Sequence, residues 1–164
     1  MSDRAITHLV AGSALWLLLI ALTGFIGGLA SIEASSFYEQ LVQPAWAPPP
    51  WLFGPVWSVL YVLMAISVSL IWHAGGLAQY PLAYGMFTLQ LFLNGLWSWL
   101  FFAWALGGLA FVEILLLWAA IVVTAKLFWR VRRLAALLLM PYLFWVGFAG
   151  ILNLRLNQLN PGLL

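Results

Sequence analysis

Long apolar runs separated by short polar segments make up almost all of this chain. Five runs reach roughly the 20 residues that a helix needs to cross a bilayer, at residues 9–30, 51–72, 82–106, 110–129 and 134–154. Strands of a membrane barrel would be shorter and would alternate apolar with polar residues. The pattern therefore predicts an all-α integral membrane protein. We expect one five-transmembrane-helix bundle over residues 1–164, with a long, partly ordered loop at 31–50 between the first two helices.

The composition fits a membrane protein and excludes several kinds of chemistry. Hydrophobic residues make up 66% of the chain and charged residues 6%, which is more apolar surface than a soluble domain of this size can bury. The chain has no cysteine, and His8 and His73 lie near different helix ends, so we predict no metal site and no obligatory cofactor. A basic patch on a soluble scaffold is missing, which argues against a nucleic-acid partner.

The basic residues are distributed unevenly between the two sides of the predicted bundle. An odd number of spans places the two termini on opposite sides. Five basic residues fall on the side of the N-terminus, namely Arg4, Lys126, Arg130, Arg132 and Arg133. The other side carries only Arg155. By the positive-inside rule, this bias predicts a cytoplasmic N-terminus and places residues 31–50 on the outer side.

Aromatic and amide residues recur at helical spacing in three of the runs. Residues three or four positions apart stand above one another on a helix, so each set forms one stripe. The stripes are Gly54, Trp57, Tyr61 and Met64 in the second run, Asn94, Trp97 and Phe101 in the third, and Trp145, Ala149, Leu152 and Asn153 in the fifth. We interpret them as walls of one cavity between helices, suited to a flat and largely apolar ligand.

The same residue types also have simpler explanations. Tryptophans often form a belt at the bilayer surface. This explanation suits the tryptophans near the ends of runs, namely Trp46, Trp51, Trp72 and Trp129. Trp97 and Trp145 fit a belt less well, because both lie well inside their runs. The two asparagines of the stripes either bond neighbouring helices together or line a pocket, since an unpaired amide is costly in lipid.

Three blocks of sequence carry a resemblance to a known family. They read PAWAPPPWLFGPVWSVLY at 44–61, LNGLWSWLFF at 93–102 and PYLFWVGFAGILN at 141–153. The first contains the spaced pattern W-x-P-P-x-W-x-x-G-P-x-W-x-x-L-Y. The residues of these blocks, and the order of the blocks along the chain, resemble those of the translocator protein family. Its members are also called tryptophan-rich sensory proteins or peripheral benzodiazepine receptors. Together they span most of the chain.

The resemblance implies a five-helix bundle, often dimeric, in which the first loop covers a pocket as a lid. It also implies a membrane receptor or sensor that binds porphyrins and related flat hydrophobic ligands and regulates tetrapyrrole metabolism or a stress response. Isoquinoline- and benzodiazepine-type drugs are further ligands of the family. Pocket positions of the family fall on Trp46, Asn94, Trp97 and Ala149 by motif alignment.

Stripes and resemblance together define one set of candidate ligand-binding residues. The set is Trp46, Trp57, Tyr61, Asn94, Trp97, Phe101, Trp145, Ala149 and Leu152. The resemblance also matches Trp57 and Trp145 to two tryptophans implicated in light-dependent porphyrin breakdown. No acid, base or nucleophile is placed for ordinary catalysis, so we predict no catalytic residue unless these two tryptophans support that breakdown.

Other functions stay open at this point. A transporter of porphyrin or sterol-like ligands is an alternative, against which stand the missing internal repeat and the scarcity of charge near the midplane. Gly24 and Gly28 form a small-residue motif that suits either a homodimer face or contacts within one bundle. Leu154 stands where the cholesterol motif of animal members has tyrosine. We therefore expect a bacterial-type member in a bacterial membrane.

Overall fold

The computed structural model describes residues 3–164, with the side chains of residues 3–6 and 8 excepted. The side chains of Arg4 and His8, which entered the predictions above, therefore lie outside the described part. Seven α-helices follow one another: α1 Asp3–Ala30, α2 Ala34–Gln40, α3 Phe53–Gln79, α4 Pro81–Ser98, α5 Gly107–Val131, α6 Arg133–Leu138 and α7 Met140–Leu159. The described residues form no strand.

Five helical segments are long and apolar enough to cross a membrane, which confirms the predicted all-α bundle. They are α1, α3, α4 with the turn after it, α5, and α6 together with α7. Helix α5 packs against α4, α6 and α7, and α1 packs against α3 and α4. Buried aromatic rings such as Phe87, Phe128 and Tyr142 fill the interior, whereas Leu18 and Phe144 point outward. This is the arrangement expected when lipid is the solvent.

The ends of two predicted spans were wrong. We predicted that the second span ends at 72, but α3 continues to Gln79. The regular helix breaks at Gly75 and Gly76, and Gly76 has φ 65°, a conformation that suits glycine. The last span, predicted to end at 154, continues to Leu159 because its polar end stays helical, where Arg155 bonds to Gln158 at 2.9 Å.

Two interruptions within spans were also not predicted. The third span, predicted over 82–106, ends in a π-helical turn at Trp99–Ala103, in which the amide of Trp104 donates to the carbonyl of Trp99 at 2.9 Å. The fifth span is divided at Leu139, between α6 and α7. Pro141 lacks an amide hydrogen, so it cannot continue the hydrogen bonds of α6.

The loop predicted at 31–50 contains regular structure. Residues Ala34–Gln40 form the short helix α2, and a 3₁₀ turn at Pro50–Leu52 leads into α3. Tyr38 of α2 is buried, and its ring meets the edge of Phe53 with 5.5 Å between ring centres. We call residues 31–50 the lid, because α2 lies over the open end of the helices described below.

Asn153 of α7 connects three helices inside the bundle. Its amide nitrogen donates to the carbonyl of Gly107 at 3.1 Å, and its carbonyl oxygen accepts from the indole of Trp97 at 3.5 Å. The side chain is 1% exposed. Of the two roles left open for this asparagine, the structure shows the bond between helices.

Replacing Asn153 by leucine is expected to destabilise the bundle. The buried indole N–H of Trp97 would lose its acceptor, and an unsatisfied buried donor costs about 1–3 kcal/mol. The melting temperature of the purified protein in detergent should therefore fall. Ile151→Leu, on the outward face of the same helix, should leave it unchanged. Equal melting temperatures for Asn153→Leu and the unmodified protein would contradict the assigned role.

Candidate functional site

A cavity of about 340 Å³ lies between α1, α3, α4 and α7, with α2 closing one end. Helices α3, α4 and α7 contribute Trp57, Trp97 and Trp145 to its wall. Tyr61 stands one turn below Trp57, and the centres of these two rings are 5.6 Å apart. The spacing of three or four residues on each helix explains why the aromatic rings face the same space.

Contacts with neighbouring rings hold the wall in place. The ring of Trp97 stacks on Phe101 with 5.2 Å between centres and 10° between planes. Trp145 meets the edge of Phe53 at 6.0 Å, and Trp57 meets the edge of Tyr142 at 6.1 Å. Offset and edge-on pairs of this kind are favourable beyond the area that they bury. The cavity is therefore formed by rings that are already positioned.

Tyr61 is also held by a buried hydrogen-bond chain. Its hydroxyl donates to the carbonyl oxygen of Asn94 at 2.8 Å, and the amide of Asn94 donates to the hydroxyl oxygen of Tyr142 at 3.1 Å. Asn94 is 3% exposed. Each partner satisfies a polar group that would be costly to bury alone. Asn94 thus holds Tyr61 in the cavity wall without lining the cavity itself.

Glycines of α1 form the opposite side of the cavity. A Cβ at Gly24 would lie 3.1 Å from the ring of Tyr61, and one at Gly27 would lie 3.3 Å from the hydroxyl oxygen of Ser98. A Cβ at Gly28 would meet nothing within 4 Å. Within one copy of the bundle, Gly24 therefore packs against Tyr61, while Gly28 borders open space. Small residues here let α1 approach α3 and α4 while leaving room for a ligand.

Five of the nine predicted ligand-binding residues line the cavity together. They are Trp57, Tyr61, Trp97, Trp145 and Ala149. They come from three helices that are far apart in sequence. The interpretation of the three stripes as walls of a common space therefore agrees with the geometry for these residues.

The other four predicted residues do not line it. Trp46 is 48% exposed and contacts the edge of Phe148. Asn94 lies behind Tyr61, and Phe101 lies behind Trp97. Leu152 is buried in the core, one residue before Asn153. Asn94, Phe101 and Leu152 have the predicted helical spacing, but spacing does not show which residues of a stripe are covered by neighbouring side chains. Trp46, predicted from motif alignment, lies in a turn of the lid.

Several lining residues were missed in the sequence. The lid contributes Ala34, Ser35 and Tyr38, and the two helix ends nearby contribute Phe53 and Phe102. Nothing in the spacing of these residues pointed to the cavity. A weak signal was the aromatic pair Phe37 and Tyr38 in an otherwise polar segment, which indicates a loop that packs down on the bundle.

Tyr38 lines the lid end of the cavity. Its hydroxyl is buried and has no hydrogen-bond partner among the described residues. Burial raises the pKa of the Tyr38 hydroxyl to about 12, because the charged form is desolvated. The hydroxyl therefore stays neutral at physiological pH.

The lid is attached to the end of α7 by Asn160. The amide of Val42 donates to the side-chain oxygen of Asn160 at 2.8 Å, and the side-chain nitrogen donates back to the carbonyl of Val42 at 3.0 Å. The same nitrogen donates to the carbonyl of Leu156 at 2.9 Å. Asn160 thus joins the lid to the helix that carries Trp145.

Comparison with known proteins gives consistent matches over most of the chain. Residues 15–159 match the profile of the TspO/MBR family. "Tryptophan-rich protein TspO" of Chlorobaculum tepidum is 41% identical over 140 residues, covering 84% of this chain and 89% of that protein. "Protein CrtK" of Rhodobacter capsulatus is 36% identical, covering 91% and 92%. "Translocator protein" of Homo sapiens is 39% identical, covering 79% and 78%.

Leucine at Gly24 and leucine at Gly28 should have different effects. At Gly24 the side chain would displace the ring of Tyr61, and overpacking of this kind costs about 1–3 kcal/mol. At Gly28 it would extend into open space. Melting temperatures in detergent should therefore fall for Gly24→Leu and change much less for Gly28→Leu. If both variants melt alike, these glycines do not face the cavity as described.

Replacing Asn160 by leucine should loosen the lid. Val42 would lose both bonds to the side chain, so its amide and those of α2 should exchange hydrogen with solvent faster. Hydrogen exchange followed by mass spectrometry measures this directly. Asn157→Leu is the matched control, because Asn157 bonds to the carbonyl of Gly107 and not to the lid. Unchanged exchange over residues 34–43 in Asn160→Leu would show that other contacts hold the lid.

Proposed function

Since the chain belongs to the TspO/MBR family and is a multi-pass membrane protein, we propose that it is a membrane receptor or sensor for a flat, hydrophobic ligand of the tetrapyrrole class. The observation that carries the proposal is the meeting of Trp57, Trp97 and Trp145 around one partly open cavity. Indole rings attract flat aromatic ligands by stacking and edge contacts. No obligatory cofactor is part of the proposal.

Polar groups at the lid end of the cavity favour one orientation of the bound ligand. Ser35 of α2 lines this end and is exposed, and the buried hydroxyl of Tyr38 lies one turn further along the same helix. The deep part of the cavity is apolar and aromatic. A porphyrin would place its macrocycle against the tryptophans and its carboxylates toward the lid, because a carboxylate needs a donor and is costly to bury deep.

The size of the cavity bears on which ligand binds with the lid closed. About 340 Å³ is near the lower end of the ~300–1,000 Å³ typical of ligand pockets. This volume suits a compact isoquinoline- or benzodiazepine-type molecule. A tetrapyrrole is larger, so its binding requires the lid to move outward. The attachment through Asn160 and Val42 is the point that such a movement would have to release.

Orientation and assembly form part of the same proposal. Lys126, Arg130, Arg132 and Arg133 lie at the end of the bundle opposite α2. A cytoplasmic N-terminus in a bacterial membrane would therefore open the cavity toward the outer side. A homodimer is consistent with a cavity built from one copy. It would use a face other than Gly24 and Gly28, which are turned to the cavity.

Light-dependent breakdown of porphyrin is the second candidate, because Trp57 and Trp145 both line the cavity. Neither ring has a general acid or base beside it to support ordinary catalysis. Illumination in air, with dioxygen as the oxidant, distinguishes the two functions. Loss of more than one equivalent of porphyrin per protein would indicate an enzyme. Loss that stops near one equivalent would indicate a receptor whose ligand is damaged while bound.

Protoporphyrin IX titrated into the purified protein in the dark should quench tryptophan fluorescence and reach saturation. The double variant Trp57→Phe with Trp145→Phe should lose most of the quenching, because these rings adjoin the proposed ligand. Gly28→Leu adds a side chain on the cavity wall, where a Cβ would meet nothing within 4 Å. It should weaken apparent affinity about tenfold or more, because it occupies space that the ligand needs.

Trp129→Phe is the matched control for the double variant. Its ring is 48% exposed at the far end of α5, so its loss should leave the saturable quenching in place. Quenching that never saturates would argue for partition of porphyrin into detergent. Equal saturable quenching in the double variant and the control would place the ligand elsewhere and contradict the proposed site.

A further inference from the structure

A second, separate recess runs along the outside of the bundle between α1 and α3. Its volume is about 700 Å³, and its walls are apolar, with Leu17 and Ile20 on one side and Val62 and Ile66 on the other. It opens toward the surrounding lipid. We call it the α1–α3 groove.

The groove is as long as one leaflet is thick. It runs from Tyr61 to His73, twelve residues along α3, which corresponds to about 18 Å at ~1.5 Å per residue. Half of a ~30 Å hydrocarbon core is about 15 Å. The groove therefore spans one leaflet, from the headgroup region to the bilayer centre. A single acyl chain has the matching shape and polarity.

The end of the groove away from the lid carries its basic side chain, while Ser69 and Tyr61 are polar residues further along it. Arg132 lies there, in the connection between α5 and α6. His73 lies beside it and is hydrogen-bonded to Ser13 of α1 at 3.2 Å. Both side chains are exposed. This end of the groove is at the level where phosphates of the adjacent leaflet lie.

The charge on Arg132 has little opposing charge nearby. Among the acidic side chains that the structure describes, Glu33 and Glu39 lie in the lid, and Glu113 lies near the start of α5. All three are at the opposite end of the bundle. Lys126 and Arg130 lie in the last turns of α5 and line a different surface, so Arg132 is the basic side chain among those lining the groove. The headgroup end is therefore selective for anions.

We propose that the α1–α3 groove binds an anionic phospholipid, with one acyl chain between the helices and the phosphate on Arg132. A guanidinium donates two parallel hydrogen bonds to phosphate oxygens, which a zwitterionic headgroup also accepts. We assign the preference for a net negative lipid to the charge of Arg132 itself, because a zwitterionic headgroup brings its own cation close to that guanidinium. Tyr61 separates the groove from the aromatic cavity, since its ring lines both. The lipid site therefore does not depend on the function proposed for that cavity.

Photolabelling by a lipid probe tests the proposal on the full-length protein. The protein is reconstituted into phosphatidylcholine vesicles that contain a small fraction of phosphatidylglycerol with a diazirine in one acyl chain. After illumination, peptides are mapped by mass spectrometry. We expect labelling of α1 around 17–21 and of α3 around 62–70. A phosphatidylcholine probe with the same chain should label these segments about fivefold less, the effect of a basic residue near an anionic headgroup.

Arg132→Gln should bring labelling by the phosphatidylglycerol probe down to the level of the phosphatidylcholine probe. Arg130→Gln is the matched control, because it removes the same charge at the same end but lines a different surface, beside Trp129 and Met140. Ala21→Phe, which narrows the groove without changing charge, should reduce labelling of α3 by both probes. Unlabelled phosphatidylglycerol should compete in the unmodified protein, whereas unlabelled phosphatidylcholine should not.

Three results would overturn the proposal. Equal labelling by the two probes in the unmodified protein would show an apolar surface without headgroup selection. An equal decrease in Arg130→Gln and Arg132→Gln would assign the effect to overall charge. Labelling of these segments that unlabelled phosphatidylglycerol does not reduce would show random contact with bulk lipid. The competition uses the unmodified protein, so the proposal remains testable even if a variant is unstable.

Discussion

Hydrogen bonds made by two buried asparagines determine how the helices stand around the cavity. Asn94 joins Tyr61 of α3 to Tyr142 of α7, and Asn153 joins α7 to the start of α5 and to Trp97. In a bundle surrounded by lipid, apolar contacts alone do not favour helix association, so polar bonds and close contacts specify the arrangement. These bonds also hold Tyr61 and Trp97 as parts of the wall.

Small residues on α1 form the remaining side of the cavity. Helix α1 packs mainly against α3 and α4. Much of its remaining surface faces outward. Its glycines contact Tyr61 and Ser98 on one side and leave space beside Gly28. Because glycine has no side chain, these positions allow both close contact between helices and an internal cavity. Away from the glycines, larger residues of α1 form one side of the lipid-facing groove.

The predicted aromatic stripes agree with the structure because helical periodicity is a local property. Once a run is helical, residues three or four apart share a face whatever surrounds them. Which members of a face reach open space depends on neighbouring helices. Phe101 and Leu152 share stripes with lining residues but are covered, and Asn94 is covered by Tyr61. The lid itself was expected from the family resemblance, but its helix was not, because seven residues carry little periodicity. Its position depends on Asn160, more than a hundred residues later in the chain.

The sequence by itself determined that the protein lies in a lipid bilayer, because its apolar content is high. Run length gave the number of spans, and the helical repeat gave the three stripes. Its proline- and tryptophan-rich blocks also pointed to the family. The tertiary structure decided where helices end or break and which rings face the cavity. It also decided that the glycines of α1 line this cavity. It alone brought His73 and Arg132 together at the end of one groove. Contacts between distant residues decide these features, and no local pattern in the chain specifies them.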